Sequence, residues 1–317
     1  MTRLWRNRFF LIVTLVGSGI VGVLSLPQPP VRGADRAVVQ KQLAYLRSQL
    51  EKSGIKPVDI VETPHFLIAG TIGADKLRSI GAQAERLVPL ARQSLELANT
   101  EVPWQGKLAV CYLPEPRDFR TFVREVLRQQ PERIHYQLQG ETPLLVTAAQ
   151  AAGINTEAER QQLILAQIGM AFLRAREPQA MLPVWLGPAY GRVCALRADG
   201  LNSPRYNAYR NQARRLVREG RLKPTDLWSD DPPEQTELLA TTVVEFLAFG
   251  PTADKFTTLL KYLRPSDDNA NPSLNNALTN IGWTDPAAFE QAWRNWILGV
   301  KTPAPKEPPK KELPKKK

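Results

Sequence analysis

Leu163-Ile164-Leu165-Ala166-Gln167-Ile168-Gly169-Met170-Ala171-Phe172-Leu173 is the stretch on which the reading of the chain turns. It lies inside a segment with helical spacing, Glu157–Arg176, and Leu163, Ala166, Met170 and Leu173 make an apolar stripe along one face. Upstream are four short apolar strand candidates, at 65–70, 108–113, 134–139 and 144–148. Helical segments lie among them. Residues 37–52 put Leu43, Leu46 and Leu50 on one side and end at Gly54, before a turn at Lys56-Pro57. Residues 76–97 are amphipathic with a kink expected at Pro89, and Asp118 is expected to cap a helix running to Gln130. Downstream there are only helices: one starting near Leu182, then 207–219, 237–249, 253–263, Leu274–Asn280 and Pro286–Leu298. Strands first and helices second predict an α+β fold, not the strand–helix alternation of a parallel sheet. The expected architecture is a small twisted N-terminal sheet with flanking helices, followed by an all-helical C-terminal part.

The chain has 317 residues, 43% hydrophobic and 23% charged, so it can bury a substantial core as one large domain or two small ones. Its net charge of +11 suggests a nucleic-acid partner until the charge is located. Three arginines in residues 1–8, and seven lysines against two glutamates in 301–317, account for eight of those charges and leave +3 for the rest. No nucleic acid is therefore expected as partner. Arg3, Arg6 and Arg8 precede an 18-residue apolar run at 9–26, so residues 1–35 read as a signal peptide or an N-terminal membrane anchor. Cleavage after Ser25 or Ala34 and retention of the helix both stay open. The expected location is the cell envelope: membrane-anchored, periplasmic or extracellular. Residues 36–63 read as a helix and linker, and 301–317 as a disordered Pro/Lys-rich tail.

Downstream of the opening stretch stands Leu182-Pro183-Val184-Trp185-Leu186-Gly187-Pro188-Ala189-Tyr190. Together the two segments resemble the gluzincin metallopeptidases, most closely their peptidase-MA-like members. There a twisted sheet is followed by an active-site helix with HExxH, and a second helix supplies a glutamate ligand. Histidines at i and i+4 share one face, and the glutamate between them activates the zinc-bound water. The resemblance puts Ala166 and Met170 at the two histidine positions, Gln167 at the glutamate, and Pro188, 18 residues after Met170, at the third ligand. Phe289, Trp293 and Trp296 resemble the closing helix of the same families, so the likeness implies one domain over 64–300.

All four functional positions are replaced together. Alanine and proline carry no ligand, a thioether is a poor zinc donor, and glutamine cannot act as a base. The only histidines, His65 and His135, lie seventy positions apart, so no HExxH exists elsewhere. The resemblance thus implies a pseudo-peptidase with no metal and no cofactor, acting by binding or as an envelope component. A plain core helix with no peptidase ancestry is the bland reading of the same segment. An extended peptide on an edge strand, expected at 144–148, or an anionic envelope polymer is the partner class. The rivals are a hydrolase with an unrecognised site and a pure envelope scaffold. A filled Ala166/Gln167/Pro188 region would favour the scaffold.

Other sites carry weaker signals. His65, His135, Cys111 and Cys194 are potential zinc donors, but no two are close in sequence; the cysteines either pair or stay buried as thiols. No Gly-x-Ser-x-Gly elbow is present, and Asp230-Asp231 and Asp267-Asp268 fall in loops. Arg205, Arg210, Arg214, Arg215, Arg218 and Arg221, with Tyr206 and Tyr209, form the densest basic-aromatic cluster, expected as a solvated helix face.

Overall fold

The computed structural model describes residues 33–300 apart from 133, 152, 229–235 and 267–269. The expectations for residues 1–32, for the tail and for both Asp-Asp pairs lie wholly or partly outside the described residues. The fold is α+β. In chain order the elements are α1 (Gly33–Ser53), β1 (Asp59–Glu62), β2 (Phe66–Gly70), α2 (Ala74–Glu85), α3 (Leu87–Ser94) and β3 (Leu108–Tyr112). Then come α4 (Pro116–Thr121), β4 (Ile134–Gln137), β5 (Leu144–Thr147), α5 (Glu157–Arg176), α6 (Leu186–Ala198) and α7 (Pro204–Arg218). The chain continues through α8 (Thr236–Phe249), α9 (Phe256–Tyr262), α10 (Leu274–Asn280) and α11 (Pro286–Leu298).

The sheet order is β1-β2-β3-β5-β4. The central strands β2, β3 and β5 run parallel, while β1 and β4 are antiparallel at the two edges. The parallel centre departs from the expected strand order: α2 and α3 form a crossover between β2 and β3, as parallel strands require. A second correction concerns the edge. The strand at 144–148 was expected there, but β5 is interior, covered by β4 with Tyr136 opposite Leu145. β5 reads Leu-Leu-Val-Thr and is buried at every position, as an interior strand must be.

Each central strand sends alternate side chains to opposite faces. Phe66, Ile68, Val110, Tyr112 and Leu145 join a large core with α2, α3, α5 and the C-terminal helices. Leu67, Ala69, Cys111, Leu144 and Val146 join a smaller core with Val39, Leu46 and Leu50 of α1 and Phe119 and Phe122 after β3. The segment 36–63 thus supplies a helix on one sheet face and the strand β1, which its two apolar residues Ile60 and Val61 did not reveal.

Three local expectations are corrected. The helix pair breaks at Arg86 rather than at Pro89. A proline ring collides with the carbonyl four residues earlier, here that of Glu85, the last residue of α2. Asp118 is not a cap; Pro116, which lacks an amide hydrogen, takes the first helical turn behind Glu115. That helix also stops short of Gln130, ending in a π turn over Phe122–Val126. Last, Val184 and Trp185 form a turn, and the helix expected near Leu182 begins at Leu186.

Candidate functional site at the α5–α6 junction

α5 starts on a capping box: the Thr156 hydroxyl accepts from the Glu159 amide at 3.2 Å, and the Glu159 carboxylate accepts from the Thr156 amide at 2.9 Å. From Ile164 to Leu173 only Ala166 is not fully buried. The helix is covered by α2, α3 and β5, and its contact with α6 is the most extensive between any two elements.

Glycine makes that contact possible. A Cβ on Gly191 of α6 would lie 2.0 Å from the Ala166 carbonyl oxygen and 3.0 Å from the Met170 nitrogen. A Cβ on Gly169 would lie 2.9 Å from the Gly191 Cα, and one on Gly187 would lie 3.2 Å from the Met170 sulfur. The main chain at Ala166 and the side chain of Met170 therefore lie against α6. Pro188, next to Gly187, is on that helix but exposed. Gln167 is only 4% exposed, and its side-chain oxygen has no hydrogen-bond partner. Its main-chain oxygen accepts from the Tyr136 hydroxyl at 3.2 Å, which ties β4 to the helix. At Ala166 and Met170 the helix packs directly on α6, with Met170 buried and Ala166 half-buried. Alanine, methionine and proline offer no ligand set, so these residues do not fit a zinc ion.

Along β4 the surface opens. A groove of about 390 Å³ is lined by Tyr136, Leu138, Gln139, Arg174, Glu177 and Leu182, among others. The Arg174 guanidinium lies 5.0 Å from the Tyr136 ring centre, and burial pushes the Tyr136 hydroxyl far above its ordinary pKa. Glu177, buried at the groove wall, is held at 2.6 Å by the Arg264 guanidinium. On the loop between α5 and α6, Val184 is 93% and Met181 50% exposed.

The other candidate donors do not gather. Among the described residues, no three His, Cys, Asp or Glu side chains come close enough to hold a metal ion. Cys111 and Cys194 are free and buried in the two different cores, so they do not pair, and burial pushes both thiols up to about 12. His65 stands just before β2 beside Glu85, whereas His135 is on β4 with its Nε2 buried and unpartnered.

The basic-aromatic cluster is only partly a solvated face. Tyr206, Tyr209 and Arg210 of α7 turn inward to Glu245, a fully buried carboxylate of α8. Arg197 of α6 reaches the same carboxylate at 2.9 Å. Glu245 interrupts Val243-Val244-Glu245-Phe246-Leu247, and a lone acid in such a run was the available signal that cations lay opposite it. No known protein family matches the chain, and no curated protein does.

Proposed function

We propose that this chain is an exported, non-catalytic gluzincin-like protein that binds an extended peptide along β4. The observation that carries the reading is the groove beside that open edge strand, walled by α5 and by a loop that offers Met181 and Val184 to solvent. An edge strand recognises a peptide through backbone groups, and apolar side chains beside it supply contact area; neither needs a metal. The order of sheet, buried helix and second helix in close contact also supports the family resemblance. A structural scaffold is the second reading. What favours it is the direct packing of α5 on α6 at Ala166 and Met170, where the resemblance would put the reaction centre.

The test is to pan a random dodecapeptide display library on the full chain and measure the affinity of selected peptides. Gln139→Asp with Pro178→Asp should leave the melting temperature nearly unchanged, since both groove-lining side chains are exposed, and weaken binding at least tenfold. No selectable peptide, or equal affinity of the double variant, favours the scaffold.

A further inference from the structure

Among the described residues, exposed cations outside ion pairs occur on both sides of the sheet, but they are grouped on two adjacent elements on one side only. On the side of the large core, Arg160, Arg192, Arg197, Arg205, Arg210 and Arg264 sit in ion pairs, whereas the exposed Lys76, Arg86, Arg174, Arg215, Arg218, Lys223 and Lys261 are scattered singly or in pairs over several elements. The opposite layer consists of α1 and of α4 with its π turn, packed side by side over the smaller core. Its outer surface carries Arg36, Lys41, Arg47 and Lys52 from α1, all exposed. Arg117, Arg120 and Arg124 follow along the second element and Arg128 just beyond it, all four exposed. None of these eight is in an ion pair. The facing exposed acids are Glu51, Glu115 and Glu125, with Asp118 half-buried. Tyr45 of α1, 37% exposed, adds an aromatic ring of the kind that settles at a lipid–water boundary.

We propose that this face, the α1/α4 layer, is a docking surface for an anionic lipid membrane. Its position along the chain supports a bilayer as the occupant. α1 begins at Gly33, seven positions after Leu26, where the N-terminal apolar run ends. An extended spacer of that length spans roughly 20–25 Å, so a retained anchor keeps α1 the element nearest the bilayer. Each basic side chain near an anionic surface contributes about 1 kcal/mol, and unpaired side chains attain that without first giving up an ion pair. Since α5 and the β4 groove belong to the other side of the sheet, docking by this layer leaves the groove facing away from the lipid.

The experiment uses the full chain reconstituted into vesicles, either neutral phosphatidylcholine or the same with one third phosphatidylglycerol. A fluorophore is attached at Ala44→Cys on α1 or at Gln212→Cys on α7, both exposed positions; Cys111 and Cys194 are buried and stay unlabelled. Headgroup-spin-labelled lipid is the quencher. Quenching at position 44 should exceed that at 212 several-fold in the anionic vesicles. It should fall to the neutral-vesicle level at about 0.5 M salt, where screening shortens to a few ångströms. Replacing Arg117, Arg120, Arg124 and Arg128 by Glu should have the same effect. Equal quenching at the two positions, or no difference between the two lipid compositions, overturns the proposal.

Discussion

The Ala166 carbonyl and the Cα of Gly191 meet with no room for even a methyl group between them: a Cβ on Gly191 would stand 2.0 Å from the oxygen. Two helices that approach backbone to backbone cannot part without breaking the contact on which the large core is built. Gly191→Ala should therefore lose at least about 3 kcal/mol, the upper end of ordinary overpacking, because the obstacle is main chain and not a movable side chain. Gly187→Ala meets only the flexible end of Met170 and should lose less than half as much. Chemical denaturation of both variants measures this; equal losses would mean the helices can slide.

Glu245 makes the corresponding polar prediction. Its carboxylate accepts from Tyr206 and Tyr209 and faces Arg197 and Arg210, while Arg210 also stacks on Trp296 at 4.3 Å. Glu245→Ala leaves two cations with little solvent and no counter-charge, so a loss of about 3–5 kcal/mol is expected. Glu245→Gln keeps acceptors for the tyrosines and should fall between the two. The comparison of unfolding free energies decides it, and a neutral Glu245→Ala would show that the arginines find water.

A pH dependence follows from Glu85. Burial raises its pKa, but hydrogen bonds from the His65 ring, the Thr63 hydroxyl and the His65 amide outweigh that and hold it below the usual carboxylate range. Since Arg92 can only donate to His65 Nε2, at 3.1 Å, Nδ1 carries the hydrogen given to Glu85. A pKa depressed by folding gives stability that is complete above the unfolded-state value and is lost as pH falls through the folded one. The parent should lose stability in acid more steeply than Glu85→Gln; parallel profiles would remove Glu85 as a source of acid sensitivity.

Much of the fold could be read from periodicity. Leu274–Asn280 and Pro286–Leu298 match their helices residue for residue, because Ser273 caps the first and Asp285 and Gly299 bound the second. What escaped depends on long-range pairing. The parallel centre and the edge position of β4 are settled by which strands meet, and Ile134–Gln137 alternates apolar and polar residues whichever edge it takes. The α5–α6 junction was legible in Gly169, Gly187 and Gly191 only once a partner helix was assumed. The groove rests on Tyr136, Arg174 and Leu182, residues far apart in sequence that carry no motif.

Peptide binding at β4 without metal chemistry, as proposed, has a direct readout in hydrogen–deuterium exchange of the amides of Ile134–Gln137, with and without a panned dodecapeptide, before and after treatment with a chelator. The peptide should slow exchange at the outward-facing amides of β4, equally in chelated protein, and should stay intact. Unchanged exchange at β4, or chelator-sensitive cleavage of the peptide, would contradict the proposal.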